Sequence, residues 1–228
     1  LWKDDLRARN YVPSTINTYL AALNGFFRFC GWADCRARFL KIQRRLFRDS
    51  KQELTRAEYE RLVAAAEAAG DRGLALLMET ICSTGIRVSE VQYITVEAAK
   101  NGKNEIALKG KIRTILLPVK LCRKLFKFAA QQKTASGAIF RAKSGKAMSR
   151  YQIWSKMKKL CACAGVDAGK VFPHNLRHLF ATAFYCAYKD IVKLADVLGH
   201  SSIETTRIYL VTSMAEHRRQ HEQLKLVS

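Results

Sequence analysis

Acid is scarce in this sequence. Nineteen Asp and Glu stand against 40 Lys and Arg, which leaves a formal net charge of +21. A compact chain with that excess repels itself unless a polyanion neutralises it. Nucleic acid is therefore the first partner to consider, ahead of a membrane surface or an acidic protein. No apolar run approaches the ~20 residues of a membrane-crossing helix, and no secretory signal is visible at the N-terminus. The chain opens on Leu1 rather than Met, which leaves open that it is a fragment. Cysteine pairs are missing too. The seven cysteines, Cys30, Cys35, Cys82, Cys122, Cys161, Cys163 and Cys186, are odd in number and scattered, with no C-x-x-C. That spacing indicates neither a disulfide framework nor a zinc site and fits a reducing cytoplasm. Internal repeats and low-complexity segments are absent as well. Hydrophobic residues make up 49% of the 228, so the chain has the material for a core and disorder is not indicated. This length allows one large domain, or one domain with a smaller companion.

What is present reads mostly as helix. In "STINTYLAALNGFFRFC", Ile16, Tyr19, Leu20, Leu23, Phe26 and Phe27 recur at helical spacing, with Ser14 as N-cap after Pro13. Residues 36–51 are dense in charge and read as a basic helix or linker, and the domain boundary is placed near residue 52. Thr55 and Glu58 form a capping box at the start of the next helix, which ends at Gly70. Residues 74–85 read as a buried helix with Gly85 at its C-cap, and "RVSEVQYI" starts another. Residues 104–117 are the exception. Two β-rich runs flank "KGK", which predicts a small hairpin. Ser149–Gln152 opens a basic helix carrying Lys156, Lys158 and Lys159, and further helices are expected at 174–188, 190–198, 202–210 and 213–224. Ser201–Glu204 and Ser213–Glu216 have the spacing of capping boxes.

Four separated stretches carry chemistry together: "STGIRVSEV" (83–91), "LKGKIRTILLP" (108–118), "PHNLRHLFAT" (173–182) and "LGHSSIETTRIYL" (198–210). A phosphodiester in its transition state spreads negative charge over non-bridging oxygens. Guanidinium groups bind such oxygens bidentately and stay charged at working pH. Arg87 and Arg177 would clamp one phosphate from two sides. His174 and Arg177 are three apart, on one helical face, at a helix start that Pro173 fixes and that itself favours an anion. His174 would exchange a proton with a nucleophile or donate a hydrogen bond. His178 is read as facing another direction, with a supporting role at most.

The order of these stretches resembles the tyrosine recombinase family, also called phage integrases. An arginine follows a Gly turn, then come a hairpin lysine, H-x-x-R, and G-H with a tyrosine nine residues on. The resemblance covers roughly 54–212, and a weaker one, to the family's N-terminal core-binding domain, covers "YVPSTINTYLAALNGFFRFC". It implies that His200 hydrogen-bonds the scissile phosphate and that Tyr209 is the nucleophile. Tyrosine is unreactive at its free pKa of about 10 and needs cations and a base nearby; of the eight tyrosines only Tyr209 lies just downstream of the Gly-His turn. The leaving 5′ oxygen needs a proton, and Lys109 and Lys111 compete to supply it. The usual K-G-x-K-x-R turn aligns Lys109 with the catalytic lysine if one residue is deleted here, so Lys109 is preferred. Lys111 and Arg113 are then assigned to phosphates, and Arg150, Lys156, Lys158 and Lys159 to DNA. His217 and His221 have i, i+4 spacing but no evident third ligand, so no metal is expected, and no ATP or other cofactor either.

The expected architecture is mainly α with a small antiparallel sheet. Residues 1–52 form a short helical core-binding lobe and linker, and 53–228 a catalytic domain whose segment 213–228 docks on a neighbour. The family's core-binding domain usually has about twice the helices that 1–50 supply, so either the lobe is reduced or the sequence is truncated. The resemblance implies a site-specific recombinase acting as a homotetramer on two double-stranded DNA sites, in the cytoplasm at the nucleoid. Two rivals are a type IB topoisomerase, with the same chemistry, and a helical DNA-binding regulator without catalysis. The regulator accounts for the charge and not for the ordered residues.

Overall fold

A computed structural model describes residues 2–42, 52–108, 111–142, 144–209 and 222–223. Among the described residues the architecture is mainly helical with one two-stranded antiparallel sheet, as the sequence predicts. The chain divides into two compact units, Leu1–Leu46 and Phe47–Ser228.

The first unit has helices α1 (Trp2–Ala8) and α2 (Pro13–Phe29) and a 3-10 turn at Ala33–Cys35. The sequence pattern does not mark α1. Pro13 occupies the first turn of α2, where its missing N–H costs nothing. Val12 takes the cap position instead of Ser14, with extended backbone and no side-chain bond. Leu6, Ile16 and Leu20 form the core. Residues 36–42, expected as a basic helix or linker, have no regular structure. Two asparagines of α2 hold this segment by mimicking a strand partner. Asn24 accepts from Ala37 N–H at 2.8 Å and donates to its carbonyl at 3.0 Å, and Asn17 does the same with Leu40 at 2.8 and 2.9 Å. Residues 43–51 lie outside the described residues.

The second unit is built around a buried helix. Helix α3 (Arg56–Ala68) opens with the expected capping box: Glu58 N–H donates to Thr55 Oγ1 and Thr55 N–H to the Glu58 carboxylate. Helix α4 (Arg72–Thr84) buries Leu74, Leu77, Met78 and Ile81 and packs between α3 and α9 (Pro173–Tyr188). Gly85 ends α4 at φ 64°. A Cβ there would strike the ring of Phe180 on α9, so this close crossing requires glycine. The stretch expected as another helix is a 3-10 helix, Val88–Tyr93, followed by α5 (Val96–Asn101). Strands β1 (Lys103–Leu108) and β2 (Lys111–Leu116) pair from Lys103↔Leu116 to Leu108↔Lys111, the predicted hairpin.

Helices α6 (Val119–Gln131), α7 (Arg150–Lys159) and α8 (Cys161–Ala164) complete the main core, which runs from Leu54 to Leu176. Ser149 and Gln152 form a capping box at α7. A smaller cluster joins Ala181 of α9, Leu194 and Leu198 of α10 (Ile191–Leu198), and Tyr209. The helix expected over 202–210 breaks into α11 (Ile203–Thr206) and a 3-10 turn, Arg207–Tyr209, and its cap is Ser202 rather than Ser201. The helix expected over 213–224 falls outside the described residues except for 222–223, as do His217, His221 and most of the docking segment. Among the described residues no helix is long and apolar enough to cross a membrane.

Candidate active site

Arg87 emerges where α4 has just ended, with its backbone extended. Its N–H donates to Glu90 Oε2 at 2.8 Å and its Nη1 to Oε1 at 2.9 Å, while Nη2 reaches the Gly199 carbonyl at 3.4 Å. Its side chain is 43% exposed, so a charged group faces outward from a fixed base. Glu90 beneath it is fully buried. Burial alone would raise the carboxyl pKa, but the Arg87 N–H and the Arg113 guanidinium outweigh it and hold the group below the usual carboxylate range.

Arg177 lies one turn into α9 and is only 3% exposed. All of its described bonds run inward: Nη1 to the Gly85 carbonyl, Nη2 to the Leu198 carbonyl at 2.8 Å, and Nη2 again to His200 Nε2 at 2.9 Å. Two helix ends, those of α4 and α10, thus lend their unsatisfied carbonyls to one guanidinium. Burial, and next the Arg87 charge, push Arg177 down to about 10, and the Tyr209 hydroxyl opposes that shift.

His200 follows Gly199, which caps α10 at φ 63°. Its Nδ1 meets Thr206 Oγ1 at 2.9 Å. A guanidinium only donates, so Nε2 is the acceptor for Arg177, and the ring proton sits on Nδ1 and is donated to Thr206. Burial first, then the charges of Arg177, Arg87 and Arg113, lower its pKa to about 4. His200 is neutral here.

Tyr209 is 5% exposed and stands among three imidazoles. The His200 ring stacks at 6.0 Å with 11° between planes, the His178 ring is 5.0 Å away, and the His174 ring 6.5 Å. Ala181, Leu194 and Leu198 pack with it. His174 is exposed on the first turn of α9 and lines an apolar cavity of about 350 Å³ beside Phe172 and the exposed aromatics Tyr151 and Trp154 of α7.

The structure therefore brings Arg87, His174, Arg177, His200 and Tyr209 together from three of the four stretches. Lys109 lies outside the described residues, and Lys111 is placed only as the first residue of β2. Two expectations change. His178 does not face away: it is one helical turn from His174 and shares its face, is buried, and stands 3.9 Å from the Glu53 carboxylate. Arg113, expected at a phosphate, turns inward at 9% side-chain exposure to pair with Glu90 and to donate to the Val197 carbonyl at 2.8 Å. On α7, Lys156 pairs with Asp71 at 2.6 Å, and Lys158 donates to the Ala168 carbonyl and lies over the Trp154 ring, whereas Arg150 and Lys159 are exposed. Sequence reasoning misses Glu90 and Thr206. Glu90 has a signal, a carboxylate three residues after Arg87 in one turn; Thr206 has none that separates it from its neighbour Thr205.

Comparison with known proteins matches residues 52–216 to the phage integrase family. Tyrosine recombinase XerA of Pyrococcus furiosus is 32% identical over 215 residues, covering 90% of this chain and 72% of that protein. The crystal structure of XerA recombinase superposes with TM-score 0.65 at 21% identity, over 100% of this chain and 82% of that one. The Tn1549 transposon integrase, solved with transposon right end DNA, does so with TM-score 0.73 at 16% identity, over 99% and 84%.

Proposed function

We propose a reaction for a chain that belongs to the phage integrase family of tyrosine recombinases, enzymes that transfer DNA strands between partners. Tyr209 Oη attacks a DNA phosphate and forms a 3′-phosphotyrosyl bond while the P–O5′ bond breaks. Lys109 gives the departing 5′ oxygen its proton, and His174 takes the tyrosine proton. Arg87 and Arg177 hold the non-bridging oxygens, where preorganised donors matter most. A 5′ hydroxyl from another strand then reverses the step, so the bond energy stays in the covalent link and no ATP is spent.

The convergence of Arg87, Arg177, His200 and Tyr209 carries this reading. Tyr209 is the tyrosine that stands among the imidazoles, and the cations beside it supply the charge a phosphate needs. His200 now accepts from Arg177. A phosphate that takes up the guanidinium removes that donor and supplies negative charge, so the imidazole gains a proton and donates to the phosphate. The biological act is site-specific recombination: integration or excision of a mobile element, inversion or resolution. The acting form is a homotetramer on two DNA sites, with 213–228 docking on the neighbour, in the cytoplasm at the nucleoid. Nicked suicide duplexes carrying the repeats that flank the gene test the reading. A denaturation-stable adduct mapping to Tyr209 supports it, and relaxation of plasmid DNA without site preference would turn it toward a topoisomerase.

A further inference from the structure

Arg113 sits four residues past Lys109, on the strand that leaves the hairpin tip. Its side chain ties together three parts of the site. Nη1 pairs with Glu90, the residue that also holds Arg87. Nη2 donates to the Val197 carbonyl at the end of α10, 84 residues away. Its stem passes under the turn that carries His200: a Cβ on Gly199 would come within 2.7 Å of Arg113 Nε and closer still to Cδ. That Nε is buried with no hydrogen-bond partner among the described residues. A buried polar atom left unpaired is costly, so the side chain is held here by its other contacts.

Ile106 and Ile115 anchor the hairpin in the main core through its apolar side, and Arg113 adds a polar tie nearer the tip. A two-stranded ribbon is marginally stable on its own, and this sheet has no third strand among the described residues. Its other described polar anchors lie at the far end, where Asn104 donates to the Tyr93 carbonyl at 2.6 Å and Leu117 N–H to the Gly102 carbonyl at 2.8 Å. Arg113 pairs with Ile106, two positions from the last pair, Leu108↔Lys111. At ~3.3 Å per residue that is about 7 Å from that last pair.

We propose that Arg113 is a positioning residue: it fixes the hairpin against Glu90 and the His200 turn so that the tip lysine reaches the leaving oxygen. This rests on the reaction proposed above. Arg113 touches no substrate. It acts on one step, proton delivery to the 5′ oxygen, because the segment it anchors carries the acid. A residue that merely stabilised the fold, or worked through Glu90 on the phosphate clamp, would slow cleavage whatever the leaving group.

The test compares suicide DNA with an ordinary 5′ oxygen at the scissile bond and the same DNA with sulfur there, since the thiolate leaves without protonation. Arg113→Met should slow covalent capture about 100-fold on the oxygen substrate, the lower end of general acid–base effects. On the sulfur substrate it should stay within a few-fold of the unaltered protein, the same split as Lys109→Ala. Arg113→Lys, which keeps the charge and loses the fork, should fall between. Hydrogen exchange should rise over 104–116 in both Arg113 variants, with α4 and α9 protected as before; loss of protection throughout would mark a folding defect and overturn the assignment. Equal loss on both substrates, or none on the oxygen substrate, would overturn it too. An unaltered protein that captures neither substrate would instead sink the reaction itself, and this role with it.

Discussion

Arg177 donates to His200, and the imidazole accepts: Nη2 and Nε2 are 2.9 Å apart. Burial first, and Arg177 next, lower the pKa of His200 to about 4, well under its ordinary 6.5, so it is uncharged at neutral pH. Because the folded state refuses a proton that the unfolded chain accepts, His200 contributes stability above pH 6.5 that is lost as pH falls from 6.5 toward 4. Thermal midpoints measured across that window should drop more steeply for the unaltered protein than for His200→Asn. An anion at Arg177 reverses the cause. Carbon-13 labelled His200 should titrate near 4 in the free protein and at a higher pH once vanadate or DNA occupies the site. An unchanged titration in saturating DNA would remove His200 from the phosphate.

Glu90 carries two guanidinium groups on one fully buried carboxylate. Glu90→Gln keeps the shape and removes the charge, leaving Arg113 buried without a counterion. Breaking a buried pair by removing one partner costs about 3–5 kcal/mol. Urea denaturation should show a loss near the lower figure, because Arg87 is 43% exposed and can turn to water. Covalent capture should fall as well, since Arg87 loses its fixed base. A Glu90→Gln protein with unchanged midpoint and capture would mean that the carboxylate is incidental.

Gly199 is required twice over, by its φ of 63° and by the Arg113 stem beneath it. The left-handed region costs an L-residue roughly 1–2 kcal/mol, and the added methyl must also displace Arg113. Gly199→Ala should therefore lose more stability than Gly165→Ala, where φ is also positive at 59° but nothing lies within 4 Å of the added atom. Calorimetry on the two variants makes the comparison, and equal losses would show that Arg113 moves aside without cost.

Local chemistry is what the sequence displays. The capping boxes at Thr55 and Ser149, the hairpin around "KGK" and the helix start at Pro173 that carries His174 and Arg177 involve residues a few positions apart, and each appears in the structure. The helix expected over 202–210 fails because its middle is used elsewhere: Thr206 is buried with its hydroxyl on His200, and the chain tightens into a 3-10 turn that tucks Tyr209 under the same ring. Arg113 fails for a related reason. An arginine near a hairpin tip in a chain of net charge +21 reads as a phosphate contact. Its actual partners lie 23 and 84 residues away, and nothing in the local pattern announces them.

Tyr209 differs from every other tyrosine in what surrounds it, and substitution separates position from chemistry. Tyr209→Phe removes one oxygen and keeps the ring that packs on His200, His178, Leu194 and Leu198. DNA binding should survive, and thermal stability should change little, because the ring supplies the packing while the hydroxyl only helps to keep Arg177 charged. Covalent capture should vanish, since the missing oxygen is the nucleophile. Tyr185 and Tyr188 supply the controls. Tyr185 packs against the same apolar cluster and Tyr188 is 67% exposed further along α9, so neither lies among the three imidazoles. Their Phe variants should capture DNA at the unaltered rate. The readout is a denaturing gel with nicked suicide DNA, followed by peptide mapping of the adduct. If Tyr209→Phe still forms an adduct, or mapping places DNA on another tyrosine, the site is misread at its centre, and the roles proposed for His200 and His174 fall with it.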